Sequence, residues 1–152
     1  MINSQHISLL NPQKSHVFRD FIYELEDNGW QVIITQSWRS FLVQERLHKQ
    51  NPKNAAPGLS SHEYGFAIDI NAKKGTIHLK KATPKQEWID SGIPAIAEKY
   101  GLRWGGNFSN YYDPIHFDCV KPGETRRWFN YLKKTYPDTY LLIEANKINW
   151  KF

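Results

Sequence analysis

The stretch SSHEYGFAID, residues 60–69, decides how this chain reads. Its last residues run on as Ala67-Ile68-Asp69-Ile70, the composition of a buried strand with a carboxylate inside it. Aspartate is depleted in strands, and an ionised carboxylate withdrawn from water is costly unless it is paired. Side chains alternate along a strand, so Gly65, Ala67 and Asp69 share one face while Phe66, Ile68 and Ile70 share the other. The aspartate face is small and open, and the bulky opposite face is expected in the core. Small neighbours leave room beside the carboxylate for a metal or a substrate, and His62 lies seven residues upstream.

The segment DPIHFDC, residues 113–119, offers a matching half. On a short strand His116 and Asp118 share one face and Ile115 and Phe117 the other. Zinc accepts two histidines and a carboxylate, with water in the fourth position when the site is catalytic. His62, Asp69 and His116 would supply that set, and Asp113, three residues before His116, could then act as base on the water. A plainer reading stands beside this one. Asp69 could pair with one of the 20 Lys and Arg residues, Asp113-Pro114 could be only a turn, and a histidine seven residues before an aspartate is a generic spacing. HEYGF is also not the H-E-x-x-H helix of common zinc proteases, because Phe66 stands where the second histidine would be.

The rest of the chain frames these two segments. Its 152 residues suit one domain, and 40% hydrophobic with 14% aromatic residues argues for a packed core over disorder. The net charge of +5 points to an anionic partner (nucleic acid, a membrane surface or an anionic polymer) without choosing among them. A single cysteine, Cys119, excludes an internal disulfide framework and a four-cysteine zinc site. No stretch approaches the roughly 20 apolar residues of a membrane span. The opening MINSQHISLLNPQKSH has no apolar run of signal-peptide length. The expectation is cytoplasmic synthesis, with release by another agent if the substrate lies outside.

Periodicity predicts a first helix over NPQKSHVFRDFIYELEDNG, a strand at WQVIITQ, and a second helix over SFLVQERLHKQN. Ser40 would cap that second helix, with Leu42, Val43 and Leu47 on one side. A loop follows, then the GFAIDI strand, a turn and short strand at KKGTIHLK, and a helical stretch from Thr83 to Gly101 kinked or divided near Pro94. A glycine- and aromatic-rich loop leads into the strand IHFDCV. One or two helices broken near Pro137 form the C-terminal helical tail, residues 123–152. Helices and strands do not alternate strictly, so the fold class is α+β: a single domain, residues 1–152, with a small, mainly antiparallel sheet flanked by helices. The tail is basic and aromatic. Packing of Trp128, Phe129, Leu132, Leu141 and Leu142 on the core is preferred over binding of an anionic polymer or membrane.

Three segments in order resemble the zinc D-Ala-D-Ala carboxypeptidase and L-Ala-D-Glu endopeptidase family of bacterial cell-wall peptidases. SSHEYGFAID fits the signature S-x-H-x-x-G-x-A-x-D; RWGGNF followed by DPIHFD is similar to a W-G-G loop before an acid-x-x-H strand; SWRSFLVQERL resembles an upstream R-S-x-x-x-Q-x-x-L segment. Together they make a motif core over residues 37–118. The resemblance implies a hedgehog/DD-peptidase-like fold and one catalytic Zn2+ held by His62, Asp69 and His116. It further implies Asp113 as acid/base, Arg39 as holder of a substrate carboxylate or oxyanion, and Gln44, Ser60 and Trp104 lining or bracing the substrate site. An aspartate at position 113 followed by HF resembles the endopeptidase branch, which includes compact phage endolysins. Phe108 stands where tryptophan is common and Trp38 where tyrosine is; both keep an aromatic side chain, so these departures bear on substrate detail more than on the chemistry.

The implied function is hydrolysis of the peptide stem of peptidoglycan at L-Ala-D-Glu by a monomer without nucleic acid or a membrane span. A D-Ala-D-Ala carboxypeptidase is the near alternative. A non-catalytic zinc-containing wall-binding module is the alternative from another class, and it would not need a poised Asp113. Scattered charge and no nucleic-acid motif disfavour a nucleic-acid binder. His6, His16, His48 and His78 lack a partner pattern, and Glu63, adjacent to His62, is expected to point away from it.

Overall fold

The central strand is the one that carries Asp69. In the computed structural model, which describes residues 2–121 and 123–150, β1 (Gln31–Gln36) lies along one edge of β2 (Ala67–Lys74). The other edge of β2 is shared: β5 (His116–Asp118) pairs with its first half and β3 (Ile77–Leu79) with its second. The two-residue β4 (Arg103–Trp104) pairs with β5, so the sheet runs β1-β2-β5-β4, and every pairing is antiparallel. The fold is therefore a single small α+β domain with an open antiparallel sheet, as expected from the sequence.

The helices are α1 (Ile2–Ser8), α2 (Ser15–Asp27), α3 (Phe41–Gln50), α4 (Lys85–Asp90), α5 (Ile93–Lys99) and α6 (Glu124–Thr135). The α2 residues Phe18, Phe21, Ile22 and Leu25 recur every three or four positions and are all buried. They pack against Ile34, Ile68, Ile70 and Phe117 of the sheet and Trp88, Ile93 and Ala97 of α4 and α5. Each large apolar side chain so buried contributes about 1.5–3 kcal/mol. A second cluster joins Phe41, Tyr64, Phe66, Val120, Trp128, Leu132, Ala145, Ile148 and Trp150. The C-terminal segment therefore closes a core of its own on the side of the sheet that carries the candidate site.

Several expectations change. The short α1 was not anticipated; its Asn3 carboxamide bonds the backbone of Val32 and Ile34 and docks the helix on β1. The alternation read back to Gly65 stops at Ala67, because Gly65 takes a left-handed conformation at φ +71°. Phe66 consequently leaves the Ile68 and Ile70 face and packs 4.5 Å from Trp128 in the second cluster. The Asp69 face is open only at its end: Ala67 is fully buried, while Asp69, 8% exposed, lines a cleft.

On α3, Ser40 caps as expected, accepting from the Val43 N–H at 3.2 Å. The helix buries Phe41 and Gln44, however, while Leu42 and Val43 are exposed. The 83–101 stretch divides at Gly92, with Pro94 inside the first turn of α5, where a missing N–H costs nothing. The tail holds one helix, α6, which ends just before Pro137 as the sequence allowed. After Thr135 the tail continues in turns and a 3-10 turn at Ala145–Lys147, with Trp128 and Leu132 buried but Leu141 and Leu142 exposed. Residues 151–152 of that expected tail lie outside the described residues. None of the described helices is long and apolar enough to cross a membrane.

Candidate metal centre

Register assembles the site. The β2–β5 pairing sets Asp69 directly opposite His116. A bulge between Ile34 and Gln36 re-aims the end of β1, and the Ser37 carbonyl beyond it accepts from the His62 ring. His62 rides on a 3-10 turn, Ser61–Tyr64, which is closed at its start by a reciprocal capping box between Ser60 and Glu63. The Glu63 carboxylate is buried and accepts from Gly58 and Ser60 N–H groups at 2.9–3.0 Å. Burial pushes its pKa up to about 7. It is a structural brace turned away from the His62 ring.

Three ligand atoms converge. Asp69 Oδ1 lies 3.1 Å from His62 Nε2 and 3.2 Å from His116 Nδ1, and those two nitrogens are 3.2 Å apart. The far side of each ring is fixed: His62 Nδ1 faces the Ser37 carbonyl at 2.7 Å, and His116 Nε2 faces Asp118 Oδ2 at 2.7 Å. Those acceptors assign the proton of each neutral imidazole to its outer nitrogen. Two lone pairs and a carboxylate oxygen are then turned inward on one another, an arrangement that repels itself unless a cation sits among them. Two imidazoles and a carboxylate are also a donor set that zinc accepts. The residues fit the metal.

The electrostatics agree. Burial alone would make His116 less basic, yet a protonated ring would donate to both Asp118 and Asp69, and those bonds raise its pKa to about 10, so a proton meets the same demand for positive charge that a metal would. Burial likewise opposes ionisation of Asp69, but the neighbouring imidazoles hold it well below the usual carboxylate range. The pocket favours positive charge between these groups.

A cleft of about 550 Å³ opens over the trio, lined among others by Arg39, Gln44, Ser60, Lys81 and Asp113. Asp113 is half-buried, and burial raises its carboxyl above the ordinary range. Its backbone is held by its own N–H donating to Gly105 and by the His116 N–H donating to its carbonyl, both at 3.1 Å. Position 105 must be glycine here, since a Cβ would run into the Asp113 carbonyl. Arg39 donates to Gln36 at 3.1 Å and to Gln44 at 2.8 Å, and Gln44 is itself aimed by donating to the Ala55 carbonyl at 2.7 Å. Burial lowers the Arg39 pKa, offset by Asp69, Glu63 and Asp113.

Of the residues singled out from sequence, His62, Asp69, His116, Asp113, Arg39, Gln44 and Ser60 thus share one cleft. Trp104 does not line it. Its ring is buried, and its N–H donates to the Pro114 carbonyl at 2.7 Å, bracing the Asp113 loop from behind. Asp118, Ser61 and Arg103 are groups the sequence reading did not use. Asp118 is almost fully buried and receives His116 Nε2, the Ser61 hydroxyl at 3.2 Å, and a two-pronged Arg103 contact at 2.7 and 2.9 Å. Burial opposes its ionisation, yet His116 and Arg103 hold its pKa at about 2. The alternation that placed Asp118 beside His116 was the available signal for it.

Residues 53–119 match the profile of a family described as D-alanyl-D-alanine carboxypeptidase. The chain is 31% identical over 108 residues to the peptidoglycan L-alanyl-D-glutamate endopeptidase CwlK of Bacillus subtilis strain 168, a match covering 62% of this chain and 64% of that protein. It therefore spans less than two thirds of that relative. In fold it is similar to the Serratia marcescens L-Ala D-Glu endopeptidase ChiX, with TM-score 0.58, 17% identity, and coverage of 78% of this chain and 86% of that one. It is also similar to the Zn(II) complex of the vancomycin-resistance D,D-pentapeptidase VanY from a VanB-type cassette, with TM-score 0.56, 16% identity, and coverage of 80% and 78%.

Proposed function

We propose that this chain is a zinc-dependent peptidase cutting the peptide stem of bacterial peptidoglycan at the L-alanyl-D-glutamate bond, a reading supported by the match of residues 53–119 to a family described as D-alanyl-D-alanine carboxypeptidase and by the likeness to CwlK. The observation that carries the reading is the inward-facing trio of His62, Asp69 and His116 in one cleft with a half-buried Asp113. A purely structural metal site has no use for such an acid, which argues against a non-catalytic wall-binding module. CwlK, an L-alanyl-D-glutamate endopeptidase, supports the choice of bond.

His62 Nε2, Asp69 Oδ1 and His116 Nδ1 would hold the zinc. When bound, zinc supplies a Lewis acid for the scissile carbonyl and makes water a stronger nucleophile near neutral pH. Asp113 takes the proton of the attacking water and returns it to the leaving amine; burial, by raising its pKa, suits it to both steps. Arg39, steadied by Gln36 and Gln44, has donors left to face negative charge on the substrate or on the tetrahedral oxyanion. Asp118 and the Ser37 carbonyl keep the two imidazoles in the ligating tautomer. Gln44 and Ser60 shape the site around these groups, and Trp104 supports the Asp113 loop. The protein would act as a monomer on the wall after synthesis in the cytoplasm and release.

The matched family description favours one second reading, removal of a terminal D-alanine. Digestion of purified peptidoglycan followed by mass analysis separates the two. New amino-terminal glutamate supports the endopeptidase, release of free D-alanine alone replaces it with the carboxypeptidase, and no cleavage by zinc-loaded protein refutes both.

A further inference from the structure

The cleft contains cations that the chemistry above does not use equally. Arg103 is committed to Asp118 through two hydrogen bonds. Arg39 has its Nε and one terminal nitrogen engaged by Gln36 and Gln44. Lys81 is different. It stands on the cleft wall just beyond β3, its side chain exposed, and no salt bridge engages it among the described residues. Its ammonium is steadied beside Tyr111, 5.7 Å from the ring centroid, and Tyr111 also lines the cleft. The carboxylates that act on its charge are those of Asp113 and, more weakly, Asp69.

The substrate of the proposed reaction makes a specific demand there. A glutamyl residue has two carboxyl groups, and only one can continue the chain; the other stays free within a few bonds of the scissile nitrogen. That nitrogen leaves on the side where Asp113 delivers its proton. The free carboxylate must therefore enter beside Asp113, the cleft carboxylate that neither the metal nor Arg103 would neutralise. Without a cation on that side, like-charge repulsion would disfavour the substrate.

Resting on the endopeptidase reading, we propose that Lys81, oriented by Tyr111, is a specificity residue that recognises the free carboxylate of the glutamyl residue following the cut bond. It selects stems carrying that carboxylate over stems in which the group is a carboxamide. A carboxamide oxygen can still accept from the ammonium, but only the carboxylate adds a charge–charge attraction to that hydrogen bond.

The test uses two synthetic stem peptides identical except for carboxylate or carboxamide at that position. Wild type, Lys81→Met and Lys81→Arg are compared for kcat/KM, and for calorimetric binding of the two glutamyl-ended product peptides, which needs no turnover. Wild type is expected to favour the carboxylate by roughly 10- to 100-fold in both readouts. Lys81→Met is expected to bring the ratio to within about threefold of one, and Lys81→Arg to keep most of it. A wild-type ratio near one, or a Lys81→Met ratio equal to wild type, overturns the assignment. If zinc-loaded wild type cuts neither peptide, the endopeptidase reading fails first and the assignment falls with it; cutting both alike refutes the role of Lys81 alone.

Discussion

Asp118→Asn is the substitution that tests how the metal ligands are held. The native carboxylate presents one oxygen to His116 Nε2 at 2.7 Å while both oxygens engage Arg103. Asparagine offers one oxygen and one NH2. With the oxygen toward Arg103, the NH2 faces His116 Nε2, which must accept, moving the ring proton to Nδ1 and into the ligand trio. With the amide turned over, the NH2 meets the guanidinium, donor against donor. Either way one partnership is lost, and the tautomer that exposes the Nδ1 lone pair is no longer enforced. Outer partners of this kind are worth about 10- to 100-fold in metal affinity, or about 1.4–2.7 kcal/mol. In the metal-free protein, holding this carboxyl at about 2 rather than the ordinary 3.8 adds roughly 2 kcal/mol of stability at neutral pH. Because the folded-state pKa is depressed, that stability is present above about pH 4 and disappears as pH falls toward 2. Zinc affinity by competition with a chromophoric chelator, with pH-dependent denaturation of the metal-free protein, reads both effects. An Asp118→Asn variant that binds zinc within about threefold of wild type would refute the tautomer argument. Unchanged steepness of the acid limb would refute the charge argument.

Other outcomes follow from the same geometry. Glu63 binds its proton more tightly folded (about 7) than unfolded (4.5), so unfolding free energy falls as pH rises across that window, by about 3 kcal/mol from this group. Glu63→Gln should flatten that slope in denaturant titrations of metal-free protein between pH 4.5 and 7. Gly105→Ala drives a Cβ into the Asp113 carbonyl and should cost about 1–3 kcal/mol, with a loss of kcat/KM larger than the fall in Tm accounts for. Trp128→Ala opens the second core against Phe66 and Tyr64 and should cost about 3–5 kcal/mol, seen as a Tm drop of about 10 °C or more.

The clustering of His62, Asp69 and His116 as a candidate metal site was legible because it obeys the shortest period in protein structure. Alternation placed Asp69 on one strand and His116 on another, and antiparallel pairing set them opposite each other. What escaped depends on contacts that leave little trace in composition. The Ser37 contact to His62 is made by a carbonyl, which every residue possesses. Phe66 was assigned to the wrong core because one positive-φ glycine interrupts the alternation. The buried face of α3 holds Gln44, a polar side chain turned inward to aim Arg39, so its apolar residues were a poor guide to the helix's orientation. The seven-residue α1 carries too few turns for periodicity to register and is held largely by polar contacts of Asn3, His6 and Ser8.

The most direct measurement of the central claim is metal content determined alongside peptidoglycan cleavage for wild type, Asp113→Ala and His116→Ala. The account predicts about one zinc per chain and activity in wild type, zinc retained but activity lost in Asp113→Ala, and both lost in His116→Ala. Full zinc occupancy in His116→Ala, or full activity in Asp113→Ala, would contradict it.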